Sequence, residues 1–313
     1  MDNLLVAVNA VIPLFFFIAT GLLIKYTHLL STTEIEHLNK MLFRIFFFTM
    51  LFYTTYITDI SHTLRPRLML FGASALLIMY VMVFILVCFF EQQNKRRGAM
   101  IQAIYRSNFV FMGIPMVSNI FGTQEIAVTT MMIAIIVPMY NILGVFTLEL
   151  FRGRKLKVLS VLKNIFTNPM IMGALLGALC VLSGIKIPTA ILKPLGQMSD
   201  ATSMLALVVL GASFHLSSTR EHMPQLIACV ISRLLFVPGI ILSLGTWYFG
   251  FRGIELMTLV AIFTAPSAVA SFTMAQQMDS DASLAGNAIV FSTAFSAFTF
   301  CSWILLFKNL GFI

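Results

Sequence analysis

The chain has 313 residues, of which 59% are hydrophobic and only 10% charged, and its mean hydropathy is +0.95. That balance excludes a soluble globular domain and leaves an integral membrane protein surrounded by the lipid bilayer. The formal net charge of +8 does not point to a nucleic-acid partner, because the basic residues sit in particular loops between apolar runs.

Ten apolar runs are long enough to cross a bilayer, at roughly 17 to 25 residues each. The first, around 3–24, carries Pro13 and Gly21 and lacks the basic n-region of a cleavable signal, so no leader is expected. The second, near 38–57, contains the Phe-rich stretch FRIFFFTMLFYTTY, which reads as lipid-facing and helix-contact surface. The third lies near 68–90. The fourth, near 99–121, holds RSNFVFMGIP from Arg106 to Pro115, and the fifth, near 126–149, holds Asn141. After the basic stretch RGRKLK come the sixth run, near 164–183 with Pro169 and Gly177, and the seventh, near 191–214 with Asp200. The eighth, near 224–249, carries Arg233. The ninth, near 254–277, contains Pro266, Ser267 and Ser271, and the tenth, near 283–307, contains Asn287.

Lys25, Lys95, Arg96, Arg97, Arg152, Arg154, Lys155, Lys157, Lys163 and Arg220 occupy loops of one parity, against Arg65, Arg67, Lys186, Lys193, Arg252 and Lys308 on the other. The positive-inside rule makes the first set cytoplasmic, which places both termini outside a multi-pass protein of the cell membrane. The acidic loop MDSDAS dissents, although the rule counts basic residues and not net charge. Cys88, Cys180, Cys229 and Cys301 lie in apolar runs without CxxC spacing, and the five histidines (His28, His37, His62, His215, His222) lie near run ends without ligand spacing. Neither a redox centre nor a metal site is expected.

An odd number of crossings in each half forces opposite orientations. The expected fold is all-α: ten transmembrane helices in two inverted five-helix repeats, residues 1–151 and 164–313, joined by a cytoplasmic basic loop at 152–163. Pro13 and Gly21 have the spacing of Pro169 and Gly177. Pro115 and Pro266 break the fourth helix of each half, and the two broken helices are expected to cross there at the bilayer midplane.

A crossing of that kind directs half-helix N-termini at one cavity, which suits an anion. Candidate substrate-binding residues are Asn108, Gly113, Pro115, Pro266, Ser267, Ser271 and Asn141. Arg106 and Arg233 are intramembrane cations that serve either as counter-ions or as snorkelling side chains. Asp200 is the one acidic candidate for proton coupling. Sodium held by hydroxyls such as those of Ser267 and Ser271 is the alternative, and no cofactor is expected. Enzyme signatures such as GxSxG, HExxH or a P-loop are absent from the sequence.

The motifs RSNFVFMGIP, VPMYN (137–141), NPMIMGALLG (168–177), LVVLGASF (207–214), SRLLFVP (232–238) and APSAVASFTMAQQMDSDASLAG (265–286) resemble those of the auxin efflux carrier family, in particular its bacterial malate-permease-like branch. The resemblance covers essentially the whole chain. It implies a scaffold part and a transport part, crossed fourth and ninth helices, elevator-like alternating access and a homodimer. In plant relatives an Asn seven residues before the fourth-helix proline lines the substrate site, a role that passes to Asn108. Plant carriers also have a proline just before the Phe at the ninth-helix crossing, where this chain has Ser271 before Phe272. Relatives with prolines in the second and seventh helices correspond here to FFFTML and ATSMLAL. The long inner loop of the plant proteins is missing, so their phosphorylation control does not transfer.

The resulting expectation is a secondary transporter of small organic anions, not an enzyme. Dicarboxylates such as malate come first and auxin-like aromatic weak acids second. A sodium-coupled carrier of amphipathic anions, a sodium/proton antiporter and a non-transporting receptor are the rivals.

Overall fold

A computed structural model describes residues 2–57, 65–122, 126–152, 163–214 and 216–313, with side chains described except at 2–10 and 216–218. His62, His215, Arg154, Lys155 and Lys157 fall outside the described residues, as does most of the 152–163 loop. All regular elements among the described residues are helical. Helix α1 covers Asp2–Tyr26. Helix α2, Thr32–Met41, starts at a capping box in which Ser31 N donates to Glu34 Oε2 at 2.7 Å and Glu34 N donates to Ser31 Oγ at 3.3 Å. It runs through a π-helical turn, Leu42–Phe46, into α3, Phe47–Ile57. The second apolar run therefore begins a turn and a half earlier than hydropathy alone predicts, because the cap is polar.

Helix α4 covers Pro66–Phe90 and leaves Leu70, Ile78, Ile85, Phe89 and Phe90 exposed, an apolar surface suited to lipid and not to water. Then follow α5 (Asn94–Tyr105), α6 (Phe109–Phe121), α7 (Ile126–Met131), α8 (Ile133–Phe151), α9 (Pro169–Leu182) and α10 (Thr189–Ser213). A short α11, Leu216–Glu221, leads to α12 (Met223–Ile231), a π-turn at Ser232–Phe236, α13 (Val237–Ser243) and a second π-turn at Leu244–Tyr248. The last helices are α14 (Gly253–Thr264), α15 (Ala270–Gln277) and α16 (Ala282–Asn309). Among the described residues five stretches are long and apolar enough to span a membrane: Pro66–Phe90, Ile126–Phe151, Thr189–Ser213, Met223–Tyr248 and Ala282–Asn309. Pro238 has no N–H to return to the Leu234 carbonyl, and Trp303 Nε1 donates to that oxygen instead at 3.1 Å.

The helices fall into two groups by contact. In one, α1 lies along α10, and α3 lies along both α9 and α10. Backbones approach closely there: a Cβ on Gly21 would stand 2.0 Å from the Val208 carbonyl oxygen, and one on Gly177 would stand 2.6 Å from that of Phe52. The other group gathers α4, α5, α6, α8, α12 to α14, α15 and α16. At one end of the molecule Arg152 meets Asp279 at 2.8 Å and Arg96 approaches Asp281 at 3.9 Å. The acidic MDSDAS loop is thus the partner of basic residues at its own end. At the other end Arg65 pairs with Glu255 at 3.4 Å.

Candidate functional site

Two helices are interrupted, and the interruptions lie against each other. Between α5 and α6, Arg106 is extended (φ −91°, ψ 117°) and Asn108 is non-helical (φ −94°, ψ 40°). Between α14 and α15, Ala265 is extended (φ −59°, ψ 147°), the conformation that the following Pro266 imposes. Ser107 and Ser267 form an isolated antiparallel bridge. Asn108 N donates to the Pro266 carbonyl at 2.9 Å and Ala268 N to the Arg106 carbonyl at 3.1 Å, so each break satisfies backbone groups of the other.

Pro115 is not at its break. It lies seven residues further on, inside α6 and exposed, while Gly113 is buried with its Cβ direction 2.7 Å from the Ala261 carbonyl oxygen. The expected crossing at Pro115 and Pro266 is therefore a crossing at Ser107 and Ser267. In the first helix the interruption is set by pairing with the second strand-like segment and not by a proline.

Ser267 is held from three sides. Its Oγ donates to the Ala103 carbonyl at 2.6 Å, its N–H donates to Ser292 Oγ at 3.1 Å, and its backbone bridges Ser107. Ser107 Oγ shares a 3.0 Å hydrogen bond with the Tyr140 hydroxyl, and Tyr105 donates to the Tyr140 carbonyl at 2.9 Å. Ser271, the second residue of α15, is buried with its Oγ unpartnered. Asp200 lies on an exposed face of α10, apart from these residues.

The two buried arginines behave differently. Arg233, in the π-turn after α12, is fully buried and gives all five of its N–H groups to carbonyls. Nε reaches Ala265 at 2.8 Å, Nη1 reaches Ile104 (3.1 Å) and Tyr105 (3.2 Å), and Nη2 reaches Ile262 and Phe263 (both 3.1 Å). These oxygens are the C-terminal ends of α5 and α14. Arg233 therefore neither snorkels nor has a donor left for a ligand.

Arg106 is 5% exposed and meets only neutral groups: Asn141 Oδ1 at 2.7 Å and Met274 Sδ at 2.7 Å, with Gln102 Oε1 at 3.5 Å. Among the described residues no carboxylate pairs with it.

Arg106, Ser107, Asn108, Tyr140 and the first turns of α6 and α15 line a cavity of about 60 Å³, closed from the other helix group by Phe47 and Met50 of α3 and Ser203 of α10. Asn108 makes no capping bond to α6. Ser107, Tyr140 and Gln102 were not singled out from the sequence. Gln102 carries a faint signal, a polar residue four positions before Arg106 on an otherwise apolar helix face, and it is buried with Nε2 unpartnered.

The family model described as membrane transport protein matches residues 6–304. The chain belongs to that family, the auxin efflux carrier family that its motifs resemble. Among curated relatives of this transporter, an uncharacterized transporter of Methanothermobacter thermautotrophicus is 23% identical over 309 residues, covering 94% of this chain and 96% of the relative. An uncharacterized transporter of Methanocaldococcus jannaschii is 24% identical over 220 residues, covering 68% of this chain and 70% of the relative. The transporter's crossing segments, Arg106–Asn108 and Ala265–Ala268, fall inside the matched family region.

Proposed function

We propose that this membrane transporter is a secondary carrier of small organic anions that binds its substrate at the crossing of the two interrupted helices. The observation that carries the proposal is Arg106, a buried guanidinium at the cavity wall whose partners among the described residues are all neutral. An intramembrane charge without a counter-charge is costly, and a bound carboxylate supplies the missing one. The helix starts of α6 and α15 border the same cavity, and their positive dipole ends add to that polarity.

The cavity walls favour one charge and an apolar body. Arg106 is the one basic residue among the lining groups, and Phe47, Met50, Val110, Phe111, Val137 and Val269 make the rest largely apolar. A monocarboxylate with an aromatic or aliphatic body, such as indole-3-acetate, fits that lining better than malate, whose second carboxylate would meet no second cation there.

At about 60 Å³ the cavity holds about two water molecules at ~30 Å³ each, so loading requires the two helix groups to part. This supports an elevator-like cycle in which the crossing group moves against the α1, α3, α9 and α10 group. Gly21 of α1 faces α10 as Gly177 of α9 faces α3, which supports the inverted five-helix repeats within ten spans. In the proposed orientation the end holding Arg96 and Arg152 is cytoplasmic and both termini are outside.

The test is counterflow of labelled indole-3-acetate and labelled malate in liposomes, alongside thermal stabilisation of the purified protein by the same acids. Counterflow and stabilisation by the monocarboxylate, both lost in Arg106→Gln, are expected. Malate counterflow that survives Arg106→Gln would remove the site from this account.

A further inference from the structure

We infer that Arg233 is the positioning residue of the crossing: it ties the C-terminal ends of both interrupted helices into one unit and neutralises them, so that the cavity presents net positive charge to an anion. The electrostatic half of this inference rests on the anion reading above; the structural half does not.

Each helix carries the equivalent of roughly half a positive charge at its N-terminus and half a negative charge at its C-terminus. Where two interrupted helices meet, two positive and two negative ends lie close together and largely cancel. In this molecule the negative ends are those of α5 (Ile104, Tyr105) and α14 (Ile262, Phe263, Ala265), and all five of those carbonyls accept from Arg233. One guanidinium charge matches two half-charges of opposite sign. The ends left uncompensated are the positive starts of α6 and α15, beside Arg106.

Only a planar fork with five donors reaches both helices at once; an ammonium has three. The side chain comes from a third element, the π-turn Ser232–Phe236, whose widened backbone carries Arg233 between α12 and α13. Buried charged donors to carbonyl oxygens are among the stronger hydrogen bonds in a protein, so the helix bearing Arg233 should travel with the crossing as one body.

The experiment uses the full-length purified protein with Arg233→Lys and Arg233→Met. Hydrogen–deuterium exchange is followed over residues 104–110 and 264–270, and the indole-3-acetate concentration for half-maximal thermal stabilisation is measured on the same samples. Exchange of the Asn108 and Ala268 amides, which bond across the crossing, should rise by about tenfold or more in both variants while the α1 and α10 peptides stay unchanged. The half-maximal concentration should rise by about tenfold in Arg233→Met and recover in part in Arg233→Lys, which keeps the charge but not the fork.

Unchanged exchange in Arg233→Lys would overturn the clamp even if Arg233→Met does not fold. Raised exchange with unaltered indole-3-acetate response in Arg233→Met would overturn the electrostatic half. If the unsubstituted protein responds to no anion but exchange still rises in the variants, the clamp stands and the transport reading falls.

Discussion

Asn141 Oδ1 accepts from Arg106 Nη2 at 2.7 Å, while Asn141 Nδ2 is held by the Val137 carbonyl at 2.9 Å one turn back on α8. The second bond fixes which end of the amide faces the guanidinium. A neutral oxygen thus occupies the position where a carboxylate would neutralise Arg106.

Replacing that amide by a carboxylate makes the counter-charge internal. Asn141→Asp is expected to fold, to melt at a higher temperature than the parent, and to lose indole-3-acetate stabilisation by about tenfold or more in apparent affinity, ~1.4 kcal/mol. Asn141→Leu should instead lower the melting temperature, because Arg106 then loses its closer oxygen acceptor, Gln102 Oε1 standing at 3.5 Å. Melting curves with and without the acid check both. An Asn141→Asp protein that binds the acid as the parent does would mean that Arg106 is not its partner.

The two prolines should separate in their effects. Pro266 holds Ala265 extended at the crossing, whereas Pro115 is exposed inside α6, where it only withholds a hydrogen bond from the Phe111 carbonyl. Pro266→Ala is expected to lower counterflow at least tenfold, about 1.4 kcal/mol of lost function. Pro115→Ala should leave transport in place and stability equal or higher. Initial rates in liposomes, normalised to folded protein, measure the contrast.

Hydropathy made an all-helical protein with membrane-spanning stretches legible because lipid imposes one simple rule on backbone polar groups. The second break was legible too, since Pro266 dictates the conformation of Ala265. The first was misplaced at Pro115 because the residues that create it, Arg106 to Asn108, carry no breaker; their extended form exists only through pairing with Pro266, Ser267 and Ala268, about 160 residues away. Arg233 was legible as an intramembrane charge, but not its partners, since helix-end carbonyls are present in every sequence and marked in none. Asn108 and Asn141 stood out as amides in apolar runs, while Gln102 and Tyr140 gained meaning only from the groups that folding sets beside them.

The glycines between α1, α3, α9 and α10 set a further expectation. Gly21→Ala places a methyl group 2.0 Å from the Val208 oxygen, and Gly177→Ala places one 2.6 Å from the Phe52 oxygen, both backbone atoms that cannot rotate aside. Each is expected to destabilise by about 1–3 kcal/mol, the usual cost of overfilling a close contact. The response to indole-3-acetate should persist in whatever fraction folds, because neither residue lines the cavity. Chemical denaturation in detergent reads the first effect and ligand-dependent melting the second. Loss of ligand response without loss of stability would place α1 or α9 in the site.

Glu91, the residue that ends α4, links stability to pH at the end of the molecule proposed to face the cytoplasm. Burial works to raise its pKa, but hydrogen bonds from the Gln93 amide and the Gln225 side chain, both at 2.9 Å, the Gln92 amide and the nearby Arg96 charge outweigh it, and the net shift is below the ordinary value of 4.5. A depressed carboxyl pKa contributes stability that is complete above the unfolded value and disappears as the pH falls through the folded one. The parent should therefore be more stable than Glu91→Gln at pH 7, and the gap between them should close below about pH 4.5, where the unfolded carboxyl takes up its proton. Paired melting curves from pH 7.5 down to 3.5 measure this, and a gap that stays constant across the range would show that the carboxylate charge is not what joins α4 to α12.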